Sequence, residues 1–195
     1  MWGIRPAVNR RIAETAGSDA DIDPGVLPLL LKGKRMRAGL LLYIHAGLAP
    51  PAAAPTRQAL DLACAVELAH AASLILDDML DGDTARRGGA PPSHHLTRGG
   101  DGRAVLDAVG ILSLPPYALA APYGAGYVTM LASVQRKMAR GVVWEMFGGP
   151  DLPPADLYDA VVARKTGCLF SLAAAWGGHG DGGEEDAIVA AFGEF

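Results

Sequence analysis

The chain has 195 residues and a mass of 20.2 kDa, the size of one ordinary domain. Half of its residues are hydrophobic and 6% aromatic, with Ala and Leu prominent, which excludes wholesale disorder and favours packed helices. Acids outnumber bases by 21 to 17, a formal charge of −4, so no general attraction to nucleic acid or acidic membranes is expected. An anionic ligand has to be met by a local cluster of bases.

Residues 1–11 mix Trp2, Arg5, Pro6 and Arg10 without an apolar run, so no signal peptide is expected. An amphipathic helix is predicted over 8–16, an Asp/Gly/Pro connection over 17–25, and an apolar helical pattern over 27–48 that the basic cluster Lys32 to Arg37 interrupts. Beyond Pro50, Pro51 and Pro55, a long helix is predicted from about Thr56 to Leu80, with Leu60, Cys64, Leu68, Ala71 and Ile75 on its apolar stripe. Residues 82–102 read as a loop rich in Gly, Pro and Arg. Helices are predicted again over 104–114, 126–147 and 156–176, the last entered through Pro153-Pro154, and another begins at Glu184. Residues 108–135 carry no charge, but Pro115, Pro116, Pro122, Gly124 and Gly126 are expected to cut them into two buried helices joined by a bend, with no membrane span. Cys64 and Cys168 stand far apart without metal-binding spacing, as buried reduced thiols of a cytoplasmic protein would. The expectation is a single all-α domain over residues 1–195.

The strongest chemical signal is Asp77-Asp78-Met79-Leu80-Asp81 at the end of the long helix. Asp77 and Asp81 are one turn apart, about 6 Å along the axis and roughly 40° around it, and His70 lies two turns earlier, about 20° away in projection. Carboxylates at this spacing repel, and at a helix C-terminus they also oppose the dipole. A cation removes both penalties, and oxygen-only ligands with open positions suit Mg²⁺ shared with phosphate oxygens. Taken alone, the segment is more simply a solvated acidic helix end.

The bases allow the same two readings. Lys34, Arg35 and Arg37 beside Gly33 suit a diphosphate or form an ordinary basic turn. Arg86-Arg87 can grip phosphate with two guanidinium forks or serve as counter-charges for Asp81 and Asp83. Lys165, between Val162 and Leu169, either snorkels to solvent or meets an anion. His94 and His95 read as exposed loop residues. Taken together, acids on one face and four separate bases describe a metal–diphosphate cavity.

The order of these segments resembles the trans-isoprenyl diphosphate synthases, the polyprenyl synthetase family. Gly33-Lys34-Arg35-Met36-Arg37 is similar to the family's G-K-R-x-R segment. Glu67-Leu68-Ala69-His70, Asp77-Asp78-Met79-Leu80-Asp81 and Arg86-Arg87-Gly88 are similar to its first aspartate-rich region, and Lys165-Thr166-Gly167 to its K-T-G motif. The resemblance implies an all-α, isoprenoid-synthase-like helical bundle around a central cavity. It implies Mg²⁺ on Asp77 and Asp81 with Asp78 in support, an allylic diphosphate on Arg86, Lys165 and Thr166, and isopentenyl diphosphate on Lys34, Arg37, His70 and Arg87. The reaction implied is condensation of the two into a longer trans-prenyl diphosphate, and small Ala72 and Ser73 before Asp77 lean toward a product longer than farnesyl diphosphate. The implied partner is a second copy of the chain or a completing subunit.

The same resemblance implies a C-terminally incomplete domain, because the family's second aspartate-rich motif would follow residues 190–195. Ala38 stands where the family has proline, Ala108-Val109 where it has Gly-Asp, and Gly141-Val142 where it has Gly-Gln, although Glu145 keeps that motif's acid. Pro115 and Pro116 are expected to break a helix at about 3 kcal/mol if they lie in its interior. The alternatives are a non-catalytic or regulatory subunit of such a synthase, a class I terpene cyclase, which needs no isopentenyl diphosphate site, and a plain helical domain whose acids and bases do not converge.

Overall fold

The computed structural model describes residues 2–49, 54–82 and 99–178. Among them there is no strand, and eight α-helices form one bundle: α1 (Arg5–Gly17), α2 (Leu27–Leu31), α3 (Met36–Leu48), α4 (Arg57–Leu80), α5 (Gly100–Leu114), α6 (Ala125–Phe147), α7 (Pro154–Val162) and α8 (Cys168–Gly178). The helix predicted from Glu184 lies outside the described residues, as does most of the loop predicted over 82–102.

The long helix α4 organises the rest. Thr56 caps its start, its Oγ1 accepting from the Ala59 N–H at 3.1 Å. Between Ala59 and Ala72 nearly every side chain is buried, not only a stripe. A helix covered on all sides is the centre of a bundle. It is flanked by α1, α3, α5 and α8.

Three predicted helices differ in detail from the observed ones. The pattern over 27–48 is two helices, because Gly33 (φ 113°) and Arg35 (φ 57°) turn the chain between α2 and α3. The expected break at Pro115-Pro116 does not occur. Instead α5 runs straight into a π-helical turn, Pro115–Ala120, closed by the Ala121 N–H donating to Pro116 O, and then a 3₁₀ turn, Ala121–Tyr123. The wider turn accommodates two consecutive residues that cannot donate and whose rings would collide with the carbonyls of a regular α-helix. The chain reverses later, at Gly124, whose φ of 119° is open to glycine at little cost. Likewise the helix predicted over 156–176 is α7 and α8 joined by a second π-helical turn, Ala163–Gly167.

Because the helix is continuous, Gly100–Tyr123 is long and apolar enough to cross a membrane, and so is α4. Within the bundle, 72% of the apolar window of α4 is buried, against 44% for Gly100–Tyr123. The former is a core helix, and the latter lays one face on it.

One polar cluster ties this centre together. Asp61 of α4, 4% exposed, accepts hydrogen bonds from Arg11 Nε (2.5 Å), Tyr123 Oη (2.7 Å) and Arg57 Nε (3.1 Å). Burial pushes its pKa up, but these three donors outweigh burial and leave it below the ordinary carboxylate value. Burial and Asp61 together push the Tyr123 phenol up to about 12. A carboxyl whose folded pKa is depressed adds stability that is present above its unfolded pKa of about 3.9 and lost as pH falls through the folded value. Asp61→Asn is therefore expected to cost about 1–3 kcal/mol at neutral pH and to flatten the fall in melting temperature below about pH 4, as thermal unfolding across pH would read.

Candidate functional site

The turn between α2 and α3 and one face of α4 enclose a cavity of about 260 Å³. Lys34 enters from the turn, Arg37 from the start of α3, and Glu67, His70 and Leu74 from α4. The Arg37 guanidinium lies over the ring of Phe170 on α8, 4.5 Å from its centroid. Its Nε is buried without a hydrogen-bond partner among the described residues. Burial lowers the Arg37 pKa, and Glu67 works against that shift. A partly desolvated cation with an unmet donor is a receptor for an anion. Arg35 also borders this cavity, but its guanidinium is engaged by Asn9, Leu30 and Glu67. Although the basic cluster allows a surface position, Arg35 is 4% exposed and turned into the fold.

A second cavity, of about 350 Å³, lies further along α4. Ser73, Asp77 and Leu80 of α4 line it with Val142 and Met146 of α6 and with Lys165 of the π-helical turn Ala163–Gly167. Lys165 Nζ lies 2.6 Å from Glu145 Oε2 and 3.7 Å from Asp77 Oδ1. Burial works against the charge on Lys165, but the carboxylates of Glu145 and Asp77 prevail and raise its pKa. The Asp77 pKa is raised first by burial, then by the charges of Asp81 and Glu145, with Lys165 opposing them. Asp81 caps α4, its N–H donating to Asp77 O at 2.9 Å, and is exposed. Asp78 is 4% exposed.

Asp77 and Asp81 are oxygen donors one turn apart, held under mutual repulsion. That donor set fits Mg²⁺, which takes one or two carboxylates and completes its shell with water and phosphate oxygens. Among the described residues no three His, Cys or acidic side chains gather into a ready-made cage. Such a cation would be shared with its ligand, not enclosed by protein.

Of the predicted residues, Lys34, Arg37 and His70 line one cavity along α4 and Asp77 and Lys165 a neighbouring one, while Asp78 and Asp81 line neither of these. His70 and Leu74 face one, and Ser73 and Asp77 the other. The segment following α7 serves both, with Lys165 in its π-helical turn and Phe170 under Arg37. Thr166 is exposed and lines neither. Arg86, Arg87, His94 and His95 lie outside the described residues. The contact of Phe170 with Arg37 had no sequence signal beyond a helical aromatic five residues after Lys165.

A helical bundle with carboxylates facing a lysine at an apolar cavity defines a class, the all-α isoprenoid synthase fold. The structure matches a decaprenyl diphosphate synthase from Rhodobacter capsulatus with a TM-score of 0.77 and 28% sequence identity, covering 96% of this chain and 57% of that one. The sequence pattern of the polyprenyl synthetase family matches residues 26–195, and the chain belongs to that family. It is 45% identical over 86 residues to a geranylgeranyl diphosphate synthase of Pseudescherichia vulneris, covering 44% of this chain and 27% of the relative. It is 30% identical over 160 residues to a geranylfarnesyl diphosphate synthase of Methanosarcina mazei, covering 79% of this chain and 50% of the relative. The chain thus spans about a quarter to a half of the length of these relatives.

Gly141, on α6, sets the position of Lys165. A Cβ there would stand 2.8 Å from the Lys165 backbone nitrogen and 3.0 Å from Arg164 Cβ, so helix and π-helical turn touch through a residue without a side chain. Gly141→Ala is expected to push the turn away at a cost of about 1–3 kcal/mol. Thermal unfolding would record that loss.

Proposed function

We propose that the chain carries the diphosphate sites of a trans-prenyltransferase, which condenses an allylic diphosphate with isopentenyl diphosphate into a longer prenyl diphosphate. One observation carries the reading. Asp77, Glu145 and Lys165 stand at an apolar cavity, and a separate cationic cavity holding Lys34, Arg37 and His70 opens about two turns earlier on the same helix. Two anions with different partners need two such places.

In this reading Asp77 and Asp81 hold Mg²⁺, with Asp78 supporting the helix end behind them. Mg²⁺ bound there supplies positive charge to a departing diphosphate. Lys165 adds its own charge, exchanging Glu145 for phosphate oxygens, so that the allylic C–O bond can ionise. Leu76, Leu80, Val142 and Met146 keep water from the resulting carbocation. Lys34, Arg37 and His70 hold the second diphosphate and so position the alkene that attacks the carbocation, and the cation so formed loses a proton to the released diphosphate to restore the double bond. Arg86, Arg87 and Thr166 are assigned to the two diphosphates by the family motif alone. Ser73 lines the apolar cavity while Ala72 is buried in the core, so Ser73 is the small wall residue that leaves room for a product longer than farnesyl diphosphate. The names of the two relatives, a geranylgeranyl and a geranylfarnesyl diphosphate synthase, support that length.

Leu106 and Val109 on α5 and Tyr117 beyond it are 68%, 56% and 83% exposed, an apolar stripe that suits a second copy of the chain or a completing subunit. Cys64, whose thiol burial pushes up to about 12, and Cys168 fit a reducing, cytoplasmic setting.

The cationic cavity favours this reading over a class I terpene cyclase, in which Lys34 and Arg37 would have no second diphosphate to bind. The test is incubation with geranyl or farnesyl diphosphate, labelled isopentenyl diphosphate and Mg²⁺. Extension beyond farnesyl diphosphate is expected, with Asp77→Ala lowering its rate about a hundredfold or more. Diphosphate release without extension would point to the cyclase, and ligand binding without turnover to a non-catalytic subunit. A farnesyl end product would overturn the proposed length. Asp77→Asn is also expected to abolish Mg²⁺-induced stabilisation in thermal unfolding while leaving the metal-free protein equally or more stable, because it relieves repulsion worth a few tenths of a kcal/mol.

A further inference from the structure

Arg35 is the only residue other than glycine, among those described, with a positive φ (57°, ψ 41°). An arginine gains nothing from that backbone, where glycine would sit without strain. Its side chain explains the choice. Nε donates to Asn9 Oδ1 at 2.8 Å, Nη2 to Leu30 O at 2.5 Å, and Nη1 to Glu67 Oε2 at 3.3 Å. Arg35 and Glu67 are each 4% exposed. The other Glu67 oxygen accepts from the Ala38 N–H at 3.1 Å, one of the otherwise unpaired donors in the first turn of α3. One guanidinium thus clasps α1, the end of α2 and α4, and one carboxylate joins α4 to the start of α3. Lys34 precedes Arg35 directly, Arg37 follows it by two residues, and His70 stands one turn after Glu67, and all three line the same cavity.

From this geometry we infer that Arg35 and Glu67, in the wall of that cavity but with their polar atoms engaged by each other and by α1, α2 and α3, are positioning residues: they hold Lys34 and Arg37 against His70 at the spacing that grips a diphosphate. The inference rests on the cavity being an anion site, as the proposed function has it. A misplacement on the scale of an ångström weakens such a grip without unfolding the protein.

The test uses the full chain and inorganic diphosphate, titrated calorimetrically with EDTA present so that the acidic end of α4 does not contribute through a metal. The signal is the binding that Lys34→Ala removes. The double variant R35G/E67Q keeps a glycine in the left-handed turn and an acceptor for the Ala38 N–H, and leaves no lone buried charge. It is expected to raise Kd about tenfold when measured well below its own melting temperature. Asn9→Ala, which removes only the outermost tether and keeps the ion pair, is expected to raise it about threefold and serves should the double variant fail to fold. A purely structural role would lower the melting temperature and leave the affinity of the folded protein unchanged. That result, in either folded variant, overturns the inference and leaves the anion site standing. Diphosphate binding that Lys34→Ala does not weaken removes the anion site and the inference with it.

Discussion

The burial of α4 on nearly every side is the constraint on which the rest of the structure depends. A helix with one wet face can point its polar residues at water, but α4 cannot, so each one along its length has to be met by another element. Asp61 is met by Arg11, Arg57 and Tyr123, and Glu67 by Arg35 and the start of α3. Asp77, nearer the open end, is met by Lys165. The same demand that satisfies the core therefore recruits α1, the α2–α3 turn and the segment before α8 to fixed positions on one axis. Toward the C-terminal end the pairing becomes looser and wetter, and there the site begins.

That gradient separates structural charge from functional charge. The Arg35–Glu67 pair is sealed and further hydrogen-bonded on both sides, as a buried pair needs to be if its desolvation is to be offset. Lys165, by contrast, is shared between two carboxylates in a half-open place, and Asp77 is held with a raised pKa among like charges. Arg37 has a ring beneath it and a donor unmet among the described residues. These groups are mutually strained in a way that a phosphate and a divalent cation, arriving together, would relieve.

The helices, the acidic end of α4 and the candidate bases are legible in the sequence because periodicity and residue type report directly on them. Four things are not. The two π-helical turns differ from regular helix by one residue of hydrogen-bond register, a phase shift that the almost wholly apolar residues 168–176 do not display. Pro115-Pro116, a strong breaker by local rules, is absorbed because a wider turn relieves the ring clash, so the reversal waits for Gly124. Arg35 looks like its neighbours Lys34 and Arg37 in a basic cluster, and only tertiary packing assigns it to the core. Gly141 reads only as the kept glycine beside a departure at Val142, whereas in space it is the gap through which α6 reaches the backbone of Lys165.

The turn at Ala163–Gly167 behaves as though one residue had been slipped into a regular helix. Everything downstream is rotated by that extra residue, about 100° in helical projection. Excising a single residue here would straighten the helix and carry Phe170 round its circumference, away from Arg37, while Lys165 upstream stayed near its acids. This stretch should therefore accept many substitutions yet resist changes of length, with the two cavities phased against each other by one surplus amide.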